Sequence, residues 1–193
     1  MEIKLLRSNE ALNYISDLAQ LRISIFAEFP YLYNGNMDYE KSYLEKFLQS
    51  PDSIICLVLD GIKVIGACTA IPLLHEHKDL QNPFIVQKED MSPYFYLSEM
   101  LILPDNRKLG LGNQMMTVCI SHASSLAYPY LCLCTVIRAE DHPRRPLNYH
   151  SADLFFQKHG FEKMKNYICT FSWQDWDEIQ ESDKSMQVWR KTL

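Results

Sequence analysis

Residues 94–137 read YFYLSEMLILPDNRKLGLGNQMMTVCISHASSLAYPYLCLCTVI, and this stretch decides the fold. Its first part, Tyr94 to Leu103, alternates like a strand and stops at Pro104. From Leu111 onward, apolar residues recur at spacings of three and four and trace one face of a helix. The segment from Tyr130 to Ile137 is a continuous apolar run, which is typical of a strand buried on both sides. The stretch therefore predicts a strand, a glycine turn, a helix and a second strand.

The turn in this unit is Arg-Lys-Leu-Gly-Leu-Gly, residues 107–112, followed by Asn113. Strands connected in this way lie parallel, and the turn faces the carboxyl edge of the sheet, where ligands bind in open α/β sheets. Glycines let backbone N–H groups converge on an anion, and the helix N-terminus adds partial positive charge. A pyrophosphate is the expected ligand, although a tight turn without any ligand would produce the same pattern.

The rest of the chain predicts a mixed α/β domain. The first half of the chain predicts a strand at 3–6, a helix that follows a Ser8-Asn9 cap and ends near Phe29-Pro30, a helix at about 39–48, a hairpin of strands 53–59 and 62–71, and a loop over 73–91 with one helical turn. After residue 137 the predicted elements are a helix over 151–159, a strand over 161–173, an acidic linker over 175–185 and a last strand over 186–193 that closes the sheet. Asp60-Gly61 is the hairpin signal, and Gly160 is a typical helix end.

The length of 193 residues suits one domain, spanning residues 1–193, with one good core. Apolar residues make up 47% of the chain and charged residues 22%, as in soluble globular proteins. The net charge is −5 and Arg144-Arg145 is the only Arg pair, which disfavours a nucleic-acid partner. The N-terminus lacks a signal-peptide pattern, and no window reaches the roughly 18 apolar residues of a membrane span. We therefore expect a cytoplasmic protein without a membrane partner.

The six cysteines lie inside apolar segments, so reduced and buried thiols are expected rather than a disulfide framework. Cys132-x-Cys134 could suggest a metal, but a second such pair is missing from the sequence. His75 and His77 flank Glu76 without a third partner at metal spacing, which favours a solvated loop. We expect no metal site.

Three features together resemble the GNAT superfamily of acetyltransferases. Residues 107–112 match its Arg/Gln-x-x-Gly-x-Gly/Ala signature, the Leu-Ile-Leu-Pro strand end at 101–104 introduces it, and Gly160-Phe161 resembles the glycine-aromatic step after its last helix. A bacterial branch of the superfamily is indicated by Phe29–Tyr33, Asp141–Pro146 with Tyr149, and Met186–Lys191. The resemblance implies a GNAT acyl-CoA N-acyltransferase fold, with a mixed sheet of six to seven strands that is splayed between strands 4 and 5 and flanked by helices.

The resemblance also implies a donor, acetyl-CoA, and places it on the chain. The backbone of Met100, Leu101 and Ile102 would pair with the pantetheine arm like an added strand. The pyrophosphate would lie in the glycine turn, against Lys108, Leu109, Gly110, Leu111, Gly112 and Asn113, with Arg107 beside it. The partners implied are acetyl-CoA and an amine acceptor, with a homodimer as a reasonable assembly.

The chemistry requires a base for the acceptor amine and an acid for the departing thiolate. Glu99 is the candidate base, because it lies one residue from the proposed pantetheine contacts, where GNAT enzymes often place a carboxylate. A structural ion pair is the alternative role for Glu99. In many GNAT enzymes a tyrosine four residues before the closing glycine is the acid, but Phe156 occupies that position here. Tyr149, His150 or a water molecule would have to substitute.

The acceptor would meet the loop after the first helix, where Tyr31, Tyr33, Asp38 and Glu40 could form an aromatic and acidic wall for a cationic amine. Plain packing of tyrosines over a loop is the alternative. The loop at 141–145 suits either an acidic acceptor or an internally paired turn.

Two functions from different classes remain. The first is an N-acetyltransferase acting on a primary amine of a small molecule or peptide by direct attack. The second is a catalytically silent acyl-CoA-binding sensor or interaction module, which Phe156 supports. A dinucleotide-binding domain is disfavoured because Met115 stands where the third glycine of its fingerprint would fall.

Overall fold

The structure is a computed structural model that describes residues 1–6 and 8–193, without the side chains of residues 8 and 9. The predicted Ser8-Asn9 cap lies outside the described residues. In the described part of the chain, the strands are β1 (Glu2–Leu6), β2 (Ile54–Asp60), β3 (Lys63–Pro72), β4 (Tyr94–Ile102), β5 (Tyr130–Val136), β6 (Glu162–Trp173) and β7 (Ser182–Thr192). The α-helices there are α1 (Ser8–Ala11), α2 (Ile15–Phe26), α3 (Met37–Gln49), α4 (Lys78–Val86), α5 (Leu111–Ser125) and α6 (Asp153–Lys158).

The strands that the structure describes form one mixed sheet in the order β1-β2-β3-β4-β5-β7-β6. Successive strands from β1 to β4 pair antiparallel, as do β5 with β7 and β7 with β6. β4 and β5 pair parallel, and their register covers Tyr94–Tyr96 against Tyr130–Cys132. The parallel pair confirms the prediction made from residues 94–137, and the mixed seven-stranded sheet with its short β4–β5 register agrees with the fold that the resemblance implied.

Helices cover both faces of the sheet because central strands are apolar on both sides. In β2, Ile54, Cys56 and Val58 join the cluster under α5, whereas Ile55, Leu57 and Leu59 join the cluster under α2 and α3. This alternation follows from the period of two in a strand. A third cluster joins α4 to β5, β6 and β7. The site described below lies where these three clusters meet around β4.

Two regions predicted as loop and as helix differ from the structure. The predicted loop at 73–91 contains α4, which includes Pro83 and buries Leu80 and Phe84 one turn apart against the sheet. The first helix is interrupted by a 3₁₀ turn at Leu12–Tyr14, so α2 begins only at Ile15. Packing of an apolar face outweighs the local cost of proline in α4, which propensity alone does not show.

The last strand also differs from the prediction, because β7 lies inside the sheet, between β5 and β6, and does not close it at the edge. It begins at Ser182, so the end of the predicted acidic linker is already strand. In β5, Leu131–Leu133 are buried but Cys134–Val136 are only half-buried. The apolar run predicted burial on both sides throughout, and the difference arises because the sheet opens beside the second half of β5.

The helices that the structure describes include none with both the length and the hydropathy needed to cross a bilayer.

Gly66 lies in β3 opposite β4, where the two backbones approach closely. A Cβ atom at this position would lie 2.8 Å from the Leu101 carbonyl oxygen. We expect Gly66→Ala to lower the free energy of unfolding by about 1–3 kcal/mol, because the strands must move apart to admit the methyl group. Urea denaturation measures this change. Ile62→Ala, at an exposed position of the adjoining hairpin, is the control and should shift stability by less than about 0.5 kcal/mol; equal losses in both variants would contradict the prediction.

Candidate active site

The site is built on the point where β4 leaves β5. Pairing of the two strands ends at Tyr96 and Cys132. Immediately afterwards, Ser98 is an extra residue in β4, because Leu97 pairs with Ala70 and Glu99 with Thr69. Such a bulge bends a strand and increases its twist. Beyond it, the edge of β4 that faces β5 carries no strand partner among the described residues, and Ile102 O at its end accepts a hydrogen bond from Arg107. An extended ligand could pair with this edge.

Two cavities lie on either side of this point. The first, here called the cleft, runs between residues 97–101 of β4 and residues 133–136 of β5 and continues to Tyr149 and Phe156. The second, here called the chamber, lies between α2, α3 and the end of β6, and most of its wall is aromatic. Glu99 lines both cavities. It is therefore the acidic group that a molecule in the chamber and a molecule in the cleft could both reach.

Glu99 belongs to a buried ion cluster. The guanidinium group of Arg22, on α2, pairs with the carboxylates of Glu40, on α3, and of Glu99, on β4. Its central carbon lies 4.1 Å from the centroid of the Tyr43 ring and 5.0 Å from that of Phe26. All three charged residues are at least nine-tenths buried. The ion pair foreseen as an alternative role for Glu99 is present, and the same buried residue lies in the walls of both cavities.

Neither Arg22 nor the burial of Glu40 was identified from the sequence as part of this cluster. The available signal was Arg22 itself, which follows the buried Leu21 and lies on a helix face that otherwise carries Leu18 and Ala19. An arginine in an apolar stripe needs a buried acidic partner. The sequence does not say which carboxylate supplies it, because Glu40 and Glu99 come from other elements.

A second ion pair fixes the bulge. Ser98 Oγ donates a hydrogen bond of 2.7 Å to one oxygen of Glu76, and Lys46 Nζ lies 2.6 Å from the other. Burial lowers the pKa of Lys46, although Glu76 opposes that shift. The prediction of a solvated loop at 75–77 is therefore wrong for Glu76, which is buried. His75 Nδ1 shares a hydrogen bond of 2.8 Å with Ser50 Oγ.

The aromatic residues predicted for the acceptor lie where they can serve it. Tyr31 lines both cavities, and Tyr33 lines the chamber. Burial, and then the Glu40 carboxylate beside it, raise the pKa of the Tyr33 hydroxyl. Asp38 is exposed in the first turn of α3 and lines neither cavity. Glu40, two residues further along α3, lines the chamber together with Glu99.

Tyr149 lies in the cleft with Glu99. Its ring packs edge-on against Phe29, with the centroids 4.7 Å apart. Burial is the main cause that raises the pKa of its hydroxyl, so the group stays protonated at neutral pH and can donate a proton. Phe156 also lines the cleft, and its ring packs near Phe161 and Trp189. Tyr31 and Tyr149 are thus the tyrosines that line the cleft together with Phe156.

The glycine turn presents a row of free backbone donors. The first helical hydrogen bond of α5 runs from Gln114 N to Gly110 O at 3.2 Å. Within the described residues, the N–H groups of positions 108–113 have no hydrogen-bond acceptor. Gly110 has φ +81°, a conformation that turns the chain into the helix and that residues with a side chain rarely adopt. The turn is therefore arranged to bind an anion at the N-terminus of a long helix.

The side chain of Arg107 is hydrogen-bonded within the protein. Its Nε donates to Ile102 O at 3.0 Å, and its terminal nitrogens donate to the two oxygens of Glu28 at 2.9 and 3.0 Å. The side chain thereby joins the end of β4 to the loop after α2. In the 141–145 loop, Arg144 Nε lies 2.9 Å from an oxygen of Asp177, which is the internally paired arrangement.

All six cysteines lie among the described residues and are free thiols, as expected. Burial raises the pKa of Cys134, which lines the cleft, so its thiol remains protonated and is a poor nucleophile. Among the described residues, no three His, Cys, Asp or Glu side chains form a group that could hold a metal ion.

Comparisons with known proteins give a structural match without a sequence match. No protein-family model and no curated protein matches the sequence significantly. The ribosomal-protein-alanine N-acetyltransferase of Brucella melitensis superposes with a TM-score of 0.66 at 11% identity, over 100% of both chains. A GNAT-family acetyltransferase of Staphylococcus aureus gives 0.63 at 14% identity, over 100% of this chain and 99% of that chain. An aminoglycoside 6′-N-acetyltransferase complexed with coenzyme A gives 0.63 at 15% identity, over 100% and 97%.

The fold defined by these superpositions is a mixed sheet with helices on both faces, shared by acetyltransferases that differ in acceptor. The chain has the GNAT acetyltransferase fold, which confirms the fold implied by residues 101–112 and 160–161.

The Arg22 cluster makes a stability prediction. Arg22→Met removes the cation and leaves two buried carboxylates without it, so we expect the free energy of unfolding at pH 7 to fall by about 3–5 kcal/mol. Urea denaturation followed by circular dichroism measures the loss. Arg144→Met is the matched control, because that arginine pairs with Asp177 at the surface and such a pair contributes about 1 kcal/mol or less. An Arg22 variant as stable as the Arg144 variant would refute the prediction.

Proposed function

We propose that this protein is an acetyl-CoA-dependent N-acetyltransferase that transfers an acetyl group to a primary amine of a small molecule or peptide by direct attack. The observation that carries the proposal is the position of Glu99 between the cleft and the chamber, where β4 leaves β5. The GNAT fold supports acetyl transfer as the reaction class. Acetyl-CoA and the acceptor would approach Glu99 from opposite sides.

The donor fits the cleft and the glycine turn. An extended pantetheine arm can pair with the free edge of β4 at Met100, Leu101 and Ile102 in the manner of an added strand. Its pyrophosphate would receive hydrogen bonds from the free N–H groups of positions 108–113. Arg107 would support the turn through its contacts with Ile102 and Glu28. The structural match to an acetyltransferase complexed with coenzyme A supports the same assignment.

The proposed reaction forms a C–N bond and breaks a C–S bond. The acceptor ammonium gives one proton to Glu99, directly or through water, and the neutral amine attacks the thioester carbonyl. Glu99 Oε2 has no hydrogen-bond partner among the described residues, so one carboxylate oxygen remains available despite the pair with Arg22. The departing thiolate takes the hydroxyl proton of Tyr149. The nitrogen passes its second proton to the Tyr149 phenolate as the amide forms, and Glu99 then releases the first proton to solvent.

A catalytically silent acyl-CoA-binding module is the second candidate. Two observations favour it: Phe156 occupies the usual position of the acid, and Arg22 already engages Glu99. Both candidates predict binding of acetyl-CoA, and they differ only in turnover. Acetyl-CoA consumption against a pooled library of amines, amino acids and peptides, with acetylated products identified by mass spectrometry, separates them.

Donor binding is tested by reversing a charge on the glycine turn. Lys108 is exposed within the turn, and Lys108→Glu places a carboxylate next to the proposed pyrophosphate position. We expect the dissociation constant for coenzyme A, measured by calorimetry, to rise about tenfold, which corresponds to about 1.4 kcal/mol. Lys63→Glu, at an exposed position of the β2–β3 hairpin, should leave the constant unchanged. Equal affinities in the two variants would contradict the proposed position of the pyrophosphate.

The base and the acid are tested by two isosteric variants. Glu99→Gln should lower kcat by about 10²-fold or more while the dissociation constant for coenzyme A stays the same, because general-base catalysis contributes on that scale. Tyr149→Phe should lower kcat on a similar scale at every pH up to 10, because burial raises the pKa of the Tyr149 hydroxyl and the wild-type residue stays protonated over that range. Steady-state kinetics over pH 6 to 10 measures both effects. A Tyr149→Phe profile identical to that of the wild type would reassign the acid to water or to another residue.

A further inference from the structure

The chamber carries an excess of negative charge. Its charged lining residues are Arg22, Glu40 and Glu99, one cation against two carboxylates. Behind the wall, Lys46 and Glu76 neutralise each other. A positively charged molecule would therefore neutralise the excess negative charge of the chamber, and a molecule that carries a carboxylate would add a third anion to it.

Arg22 is not available to receive an acidic substrate. Its guanidinium group already pairs with both carboxylates, and aromatic rings lie close to it, with Tyr43 at 4.1 Å and Phe26 at 5.0 Å from its central carbon. A bidentate contact with a substrate carboxylate would displace at least one of these two carboxylates, because Nε and Nη1 are both engaged. The hydrogen-bond acceptors of the chamber that lack a donor belong to its carboxylates.

Two carboxylate oxygens in the chamber wall lack a hydrogen-bond donor. Glu40 Oε1 and Glu99 Oε2 are buried, and neither accepts a hydrogen bond of good geometry among the described residues. The Tyr33 hydroxyl lies beside the Glu40 carboxylate and is the neighbouring donor that a ligand N–H would have to join or replace. A buried carboxylate oxygen left without a donor costs free energy, so these atoms are sites where a ligand N–H gains more than it would in water. Glu40 has a residue exposure of 0% and lines the chamber. Its free oxygen is a second, separate position from that of Glu99.

The two carboxylates differ in what they can reach. Glu99 borders the cleft as well as the chamber, and thus the position of the thioester under the proposed function, whereas Glu40 borders the chamber only. Around Glu40 the chamber wall is aromatic, with Tyr33, Tyr39 and Tyr43 close by in the lining. Ring faces attract organic cations and tolerate little hydration, which strengthens a charge-assisted hydrogen bond to Glu40.

We propose that the acceptor carries a second cationic group in addition to the amine that is acetylated, and that Glu40 holds this group in the chamber while Glu99 serves the reacting amine. The substrate class is thus an organic compound with two or more amino groups. The assignment rests on the proposed acetyl transfer for the identity of the reacting amine, but recognition of the second cation by Glu40 is a binding property with its own test.

The test compares acceptors that differ only in the distal group. The wild-type protein is assayed with α,ω-diamines of three to six carbons, with amino alcohols of the same lengths and with the corresponding amino acids. The expected result is a kcat/KM at least tenfold higher for the best diamine than for the amino alcohol of equal length, with the amino acid slowest. An amino alcohol that reacts as well as the diamine overturns the dication proposal and leaves acetyl transfer standing.

A binding measurement covers the case in which no acceptor turns over. The same compounds are added to the wild-type protein in the presence of coenzyme A, and the melting temperature is recorded. If no acceptor turns over, the proposed enzyme activity is contradicted. Recognition of the second cation is then decided by the shift in melting temperature. A larger shift with the diamine than with the amino alcohol supports it, and equal shifts refute it.

The residue is tested by Glu40→Gln, which keeps the size of the side chain and removes its charge. We expect the kcat/KM for both acceptors to fall, because the variant also alters the pairing of Arg22 beside Glu99. The loss for the diamine should be about tenfold larger than the loss for the amino alcohol. Glu45→Gln, at an exposed position of the same helix, is the matched control and should change neither value. Equal losses for both acceptors would mean that Glu40 only supports the fold, and the wild-type comparison decides the substrate class if Glu40→Gln does not fold.

Discussion

A parallel strand pair persists only while the hydrogen bonds between its strands continue, and in this sheet those bonds end at Tyr96 and Cys132. Beyond that point the bulge at Ser98 bends β4 while β5 remains paired with β7. The sheet stays intact on both sides of the opening because β4 keeps β3 as a partner. A gap between two adjacent, well-supported strands is the constraint on which both cavities depend.

The opening is held by charges as well as by strand pairing. Arg22 joins α2 to α3 and β4 through Glu40 and Glu99, while Glu76 holds Ser98 and Lys46. Removing charges from water is costly, and buried ion pairs of this kind add less to stability than their Coulomb attraction suggests. Their placement beside the bulge fits a role in positioning, since hydrophobic side chains could have packed the same elements. The cluster also leaves carboxylate oxygens facing both cavities.

Local signals in the sequence were sufficient for the elements that depend on local chemistry. The hairpin around Asp60-Gly61, the start of α5 after Gly110 and the end of α6 before Gly160 follow from turn and capping preferences, and the structure has all of them. α4 was missed because Pro83 is unfavourable locally, and the helix depends on burying Phe84 against the sheet. The position of β7 inside the sheet was missed because strand order depends on long-range pairing, which no local pattern encodes.

The same division applies to the site. The sequence by itself determined the glycine turn at 107–113 and the strand that carries Glu99, because glycine spacing and apolar alternation are properties of neighbouring residues. Only the tertiary structure decided that Arg22 and Glu40 would join Glu99, since these residues lie on three different elements. Charges far apart in the chain become partners when the packing of those elements removes them from water. The order of residues in the sequence does not show which of these charges will meet.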